Sequence, residues 1–333
     1  MASHIGRRKF LATLGGAAVA WPLAAHAQQA ERMRRVGMLM PLTAGDAEVR
    51  ARSAVIELTL YQLGWTVGEN LQIDYRLSGG TAEPIRRYAA ELVALAPDVI
   101  VTIGSATIGP MQEATRSIPI VMVNVADPVG AGFAQSLARP GGNATGFTSF
   151  EYSMSGKWLE LLREIAPSVA RTAVLRDSRT PGGTGQFGAI QSVAQTLGIE
   201  LIPIGVHDED EIERGVTAFA SRPNGGLIVT SGGTAFRRDL IIGLASRYKL
   251  PAVYPYRYYA QDGGLITYGP NTLDPVRRAA EYVNRILRGE NPAQLPVQAP
   301  TKYELVINLK TAKAQGVKIP TSLLTRADEV IVE

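Results

Sequence analysis

No cysteine occurs anywhere in the 333 residues. Disulfides, thiolate nucleophiles and cysteine-ligated metals are thereby excluded. Histidine is nearly as scarce, with His4, His26 and His207 the only three. Two of these lie in an N-terminal stretch that reads as a removable leader, so one imidazole remains beyond it. A Ser-His-Asp triad or a histidine-rich metal centre is not expected from that stock, and no metal and no cofactor is implied. Beyond the leader no apolar run is long enough to span a bilayer. What is present is ordinary for a globular chain: 46% hydrophobic residues and a mean hydropathy of +0.03, with length for two domains and a core in each.

The first 27 residues read as a targeting segment. Arg7-Arg8-Lys9-Phe10-Leu11 is a twin-arginine pattern, Leu11 to Ala25 is modestly apolar, and Ala25-His26-Ala27 is a small-x-small cleavage site before Gln28. An apolar run of about 15 residues, interrupted by glycine and proline, is too short for an anchor. Cleavage after Ala27 is expected to leave a periplasmic protein, exported by the twin-arginine route, with no stable membrane insertion and a monomeric state. Without Arg7, Arg8 and Lys9 the 34 basic residues fall to 31 against 30 acidic ones. The pI of about 9.3 therefore owes much to the leader and points to no nucleic-acid partner.

The stretch from Asp98 to Phe133 organises the rest. Val99–Ile103 and Ile120–Val125 are short runs of Val and Ile, the pattern of strands buried in a parallel sheet. Thr107–Arg116 suffices for one helical crossover between them, stopped by Pro119. The first strand runs out into Gly104-Ser105-Ala106-Thr107 and the second into Asn124 and Asp127-Pro128. In an open parallel sheet, ligands bind beyond the carboxyl ends of the strands.

On either side the chain alternates strand and helix. Arg35–Met40, Ala47–Leu63, Leu71–Arg76 and Glu83–Leu95 lead into the central unit, and Ala144–Thr148 reads as an extended link after it. A second alternating set starts at Lys157–Ile165. It includes the strand Thr172–Leu175, the run Leu227–Thr230 that ends at Ser231, and the strand Pro251–Tyr254. Four of the twelve tyrosines then fall between Tyr254 and Tyr259. This order predicts an α/β protein of two doubly wound, Rossmann-like lobes joined by hinge crossings.

Several segments, in order along the chain, carry a resemblance. They are Arg35-Val36-Gly37, Asp98–Gly104, Pro119-Ile120-Val121 with Ala126-Asp127-Pro128-Val129-Gly130, and Gly156-Lys157-Trp158-Leu159-Glu160-Leu161-Leu162 through Pro167. Leu250-Pro251-Ala252-Val253-Tyr254, Gly263-Gly264-Leu265 with Tyr268-Gly269-Pro270, and Glu304–Ala312 continue the series. Together they resemble the ABC-transporter substrate-binding proteins, in the branch that includes tryptophan- and tyrosine-binding members. The resemblance implies a type I periplasmic-binding fold with three hinge crossings, a small ligand clamped between the lobes, an ABC permease as partner, and no chemistry on the ligand. It implies discontinuous lobes, residues 35–147 with 270–292 and residues 148–269 with 297–333.

A ligand with a carboxylate, an aromatic amino acid or a related acid, is favoured. Ser105 and Thr107 stand where a helix begins, as caps or as donors to that carboxylate. Asn124 closes a strand and either satisfies a turn or faces ligand, while Asp127 before Pro128 is a turn former. Tyr254 and Tyr256 either pack between the lobes or close over a planar ligand. Arg257 could pair with the carboxylate, as could Arg176 or Asp177, and His207 reads as a surface loop residue. Thr148, Ser231, Tyr268 and Asn271, at strand ends and crossings, complete the expected ligand-binding set.

Two other uses of such a chain are open. A sensory ligand-binding module would share the fold. Gly183-Thr184-Gly185-Gln186-Phe187-Gly188 matches G-x-G-x-x-G, with Asp208 about 25 residues on, as in an exported dinucleotide-dependent oxidoreductase. The preceding strand ends too early for that fingerprint, near Leu175, so a flexible glycine-rich loop is the expected form.

Overall fold

The computed structural model describes residues 32–332; the leader reading falls outside the described residues. The first sheet has five parallel strands: β1 (Arg34–Met40), β2 (Leu71–Leu77), β3 (Val99–Ile103), β4 (Ile120–Val125) and β5 (Ala144–Thr148). Their order is β2-β1-β3-β4-β5. Every residue of β3 and β4 is buried, as a parallel sheet covered on both faces requires. The crossovers are α1 (Ala47–Gln62), α2 (Ala82–Ala94) and α3 (Ser105–Ala114). The last begins two residues before the expected start and keeps Pro110 inside it.

The extended link expected at Ala144–Thr148 is a full strand paired to β4. Gly146 makes that pairing possible. Its φ is +139°, and a Cβ there would stand 1.9 Å from the Met122 carbonyl oxygen, closer than any side chain tolerates.

The second sheet is built from β6 (Arg171–Arg176), β7 (Glu200–Gly205), β8 (Gly225–Val229), β9 (Ala252–Tyr254) and β10 (Ile266–Pro270). Helices α4 (Gly156–Ile165), α5 (Pro181–Leu197), α6 (Glu209–Ala220), α7 (Arg238–Arg247) and α8 (Arg257–Gln261) connect and cover them. The chain then returns to the first lobe as α9 (Asp274–Leu287), whose Val276, Ala279, Val283 and Ile286 pack with Val36, Met38 and Ile56. It ends in the second lobe with β11 (Tyr303–Asn308), α10 (Leu309–Gln315), α11 (Thr321–Arg326) and β12 (Glu329–Ile331). The order is β12-β11-β10-β9-β8-β6-β7, antiparallel only between β10 and β11.

The chain crosses between the two sheets three times, after Thr148, after Pro270 and beyond Gln298. Thr148 belongs to β5 of the first sheet, and Pro270 ends β10 of the second. Val297 and Gln298 still bond to the first lobe, through the Leu137 and Gly146 carbonyls at 2.7 and 2.9 Å. The hydrophobic core is correspondingly split, with one cluster in the second lobe and two on the faces of the first sheet.

The glycine-rich segment 183–188 is not a loop. It forms the first turns of α5, where Thr180 caps the helix by accepting from the Gly183 N–H at 3.1 Å. A Cβ on Gly183 would meet the Asp177 carbonyl at 2.1 Å, and one on Gly185 the Tyr152 ring at 2.4 Å. These glycines serve close packing. Asp208 likewise caps α6, accepting from the Glu211 N–H at 2.7 Å. The arrangement of a dinucleotide fingerprint, with its glycine at a strand end, is not formed here. Among the described residues no helix is long and apolar enough to cross a membrane.

Candidate functional site

The ends of β1, β3 and β4 in one lobe and of β8 in the other open onto a shared cavity. Leu42, Ser105 and Asn124 line it from the first lobe, and Ser231, Tyr256 and Tyr258 from the second. Its unfilled space is about 580 Å³ including the mouth, of which about 70 Å³ admits the centre of a water molecule.

Arg52 of α1 supplies the positive charge. It is 6% exposed, and its Nη2 donates to Glu48 Oε2 at 2.9 Å, yet its buried Nε has no partner. A buried guanidinium N–H left unpaired is costly, so a cavity beside it is a place for an anion. Asn124 supplies an acceptor. Held at φ +56°, it donates from Nδ2 to the Thr272 carbonyl at 3.2 Å, and its buried Oδ1 is unpaired. Asn is among the few residues that take the left-handed conformation readily.

Ser105 opens α3 and accepts from the Ala126 N–H at 2.9 Å, which leaves its own proton free to donate. The helix start beside it adds the partial positive charge of its exposed N–H groups. Ser231 is held by Gln186, with its N–H donating to Oε1 at 3.0 Å and its hydroxyl 2.9 Å from Nε2.

Tyr256 and Tyr258 stack at 5.4 Å between ring centroids and wall one side of the cavity. Burial pushes the Tyr256 phenol up to about 12, against the charge of Arg52 and the hydroxyls of Ser231 and Ser149, which lower it. Burial raises Tyr258 well above the ordinary tyrosine range as well. Both are neutral at physiological pH and offer apolar faces. Phe236 closes the wall from the second lobe and sits over Gly80 of the first. A Cβ at Gly80, whose φ is +79°, would stand 2.4 Å from the Phe236 ring.

The structure thus gathers four expected residues, Ser105, Asn124, Ser231 and Tyr256, and places six elsewhere. Thr107 is fully buried, its hydroxyl turned back to the Ile103 and Gly104 carbonyls at 3.0 and 2.9 Å. Thr148 lines a separate groove beside Asp127 and Tyr152. Tyr254 is 1% exposed and stacks on Tyr259 at 5.0 Å inside the second lobe's core. Arg257 pairs with Glu304 at 3.9 Å and with Glu329. Tyr268 stacks on Tyr303 at 5.8 Å, and its carbonyl accepts from Trp158 Nε1 at 2.7 Å. Asn271 forms the turn that leads into α9, its Oδ1 accepting from the Leu273 and Asp274 N–H groups at 2.9 Å, and its Nδ2 donates to Glu304 Oε1 at 3.1 Å.

Of the weaker candidates, Asp127 is the turn former expected, accepting from the Gly130 N–H at 2.9 Å. Arg176 stacks over Phe187 at 4.4 Å. Asp177 is buried; that burial raises its pKa, but the hydrogen bonds and charge of Arg179 outweigh it and hold the carboxyl below the usual range.

Arg52, Tyr258 and Phe236 were not singled out by sequence reasoning. A signal for Arg52 existed. It shares a helical face with Val49, Ile56 and Leu60, all buried, so a charged residue stands on an apolar stripe.

Residues 36–331 match the family described as ABC transporter substrate binding protein. This chain belongs to that family. Among relatives of the substrate-binding protein, the tyrosine-binding protein of Clostridioides difficile (strain R20291) is 25% identical over 257 residues, 75% of this chain and 72% of that one. A solved conserved domain protein from Vibrio cholerae superposes with a TM-score of 0.83 at 26% identity, covering 90% of this chain and all of that one. The ABC domain from Streptococcus pneumonia, in complex with L-Trp, gives 0.81 at 24%, with 90% and 99% covered. The two parallel-sheet lobes are those of type I periplasmic-binding proteins.

Proposed function

We propose that this substrate-binding protein carries a carboxylate-bearing, aromatic solute, an amino acid or a related acid, to the permease of an ABC importer. It would do so outside the cytoplasm after twin-arginine export, as a monomer and without altering the solute. The observation that carries the reading is the pairing of two unsatisfied buried groups, Arg52 Nε and Asn124 Oδ1, in a cavity walled by Phe236, Tyr256 and Tyr258. An α-amino acid presents the complementary set. Its carboxylate suits the guanidinium, the Ser105 hydroxyl and the start of α3, and its ammonium suits the asparagine oxygen. Its ring suits the aromatic wall. The tyrosine-binding relative and the L-Trp complex support the same class.

A thermal-shift screen of the mature protein against amino acids and aromatic acids, followed by calorimetry, tests this. A solute at 100 times its dissociation constant stabilises the native state by about 2.7 kcal/mol. Aromatic amino acids or acids are expected among the stabilisers. Stabilisation by sugars or polyols alone would remove the carboxylate reading.

A further inference from the structure

A second chamber adjoins the inner cavity and shares Ser105, Ser231 and Phe236 with it. It is far roomier, since about 500 Å³ of it admits the centre of a water molecule, against about 70 Å³ in the inner cavity. Its walls are basic. Arg86 comes from α2 of the first lobe, and Arg179, His207 and Arg237 come from the second.

The one carboxylate lining it, Asp177, is already engaged by Arg179 through two bonds of 2.9 Å. Among the described residues neither Arg86 nor Arg237 makes an ion pair. Arg237 donates to the His207 carbonyl at 3.1 Å, which holds its position and leaves its charge uncompensated. The starts of α2 at Thr81 and α5 at Thr180 also face the space, and both add positive potential there. Two unneutralised guanidinium groups from opposite lobes, both lining one chamber, fit an anionic group held between them.

We infer that this chamber binds an anionic group, a carboxylate or a phosphate, in addition to the solute carboxylate of the inner cavity. The inference rests on the proposed function only for that second clause. The group is either the far end of a dianionic aromatic solute or a separate small anion bound beside it.

Calorimetry distinguishes the sources with O-phospho-L-tyrosine, L-tyrosine, and L-tyrosine with inorganic phosphate. At least a 10-fold tighter affinity for O-phospho-L-tyrosine than for L-tyrosine assigns the anion to the solute. A comparable gain for L-tyrosine on adding phosphate assigns it to a separate ion. In either case the gain should disappear in the Arg86→Gln, Arg237→Gln double variant and shrink with added salt. Melting temperatures check that the variant folds, as expected for side chains outside the core.

L-tyrosine binding with no gain from either form of phosphate, or a gain that the double variant keeps, overturns the chamber and leaves the solute reading standing. Phosphate alone raising the melting temperature of the wild type but not of the variant, with no aromatic acid bound, supports the chamber and sinks the solute reading. No response to any of the three overturns both.

Discussion

Asp46 of the first lobe and Arg238 of the second form a doubly hydrogen-bonded ion pair across the cleft. Arg238 donates from Nη1 to Oδ2 at 2.8 Å and from Nη2 to Oδ1 at 3.2 Å. Both side chains are largely buried, at 14% and 10% exposure. Asp46 also caps α1 by accepting from the Glu48 N–H at 2.9 Å, while Arg238 Nε reaches Asp262 at 2.6 Å. The lobes therefore meet through charge as well as through Phe236 on Gly80.

Asp46→Asn separates the two roles of Asp46, because asparagine caps a helix as well as aspartate does. A charge-assisted contact contributes about 1.5–3 kcal/mol. Its loss should shift the closed-to-open ratio roughly 10-fold or more towards open. Small-angle scattering of the unliganded variant should show a larger radius of gyration with unchanged circular dichroism. An unchanged radius would mean that packing alone holds the lobes.

The same pair predicts an acid limb. Burial raises the Asp46 pKa, but hydrogen bonds from Arg238 and the Glu48 N–H, with the charge of Arg238, outweigh it and hold it below the ordinary value. A depressed pKa means the contact is complete above the ordinary carboxylate value of about 4 and lost as pH falls through the lower one. The radius of gyration should be flat from neutral pH to about 4 and rise below it. In Asp46→Asn the rise should start from an already open form and be smaller. Identical acid profiles would remove Asp46 as the titrating group.

The inner cavity is lined by residues of both lobes. Opening about the three crossings is expected, with compaction when solute binds, since closure is driven by contacts that exist only in the closed state. Arg52→Gln and Asn124→Ala should each weaken binding of the screened solute about 10-fold or more, a hydrogen bond to a charged group contributing roughly 1.5–3 kcal/mol. Calorimetry with wild-type-like affinity in both variants would move the site out of this cavity.

Tyr254→Ala should behave in the opposite way. Buried among the second lobe's core and stacked on Tyr259, it makes no wall of the cavity. Truncation of a buried aromatic costs about 3–5 kcal/mol. Urea unfolding should show that loss, while solute affinity of the folded fraction stays within about twofold, well under the tenfold that ~1.4 kcal/mol represents. Loss of affinity without loss of stability would place Tyr254 at the ligand.

Export is tested apart from the fold. Changing Arg7 and Arg8 together to Lys should trap precursor in the cell, and the mature chain should begin at Gln28. Intact mass of exported protein still carrying Ala2 would rule out cleavage after Ala27.

The parallel strands were legible because their signal is local. Val99–Ile103 and Ile120–Val125 are apolar without interruption, and the structure buries every residue of both. The β5 strand was not legible, because what makes Ala144–Thr148 a strand is the fit of Gly146 against Met122, not its own composition. Gly183 and Gly185 misled in the same manner. Their role is contact with Asp177 and Tyr152, and only the packed helix shows it.

The amino-acid sequence by itself determined the alternation of strands and helices, the pair of lobes and the family. It also determined that Ser105, Asn124 and Tyr256 would stand near strand ends, where the cavity opens. Those properties depend on hydrophobic periodicity and on neighbours a few residues apart. Only the tertiary structure decided which strand-end side chains turn into the cleft. Tyr256 faces it while Tyr254, two residues earlier, lies inside the core. Phe236 enters it from a short 3-10 helix, Gly233–Arg237, that no local pattern marks as ligand-facing, and Arg52, though its place on an apolar stripe is visible, is aimed at the cavity only by the packed fold. Arg257 is drawn off to Glu304 and Glu329. Such choices are set by partners far away in sequence, through burial and charge pairing that exist only once both lobes have folded.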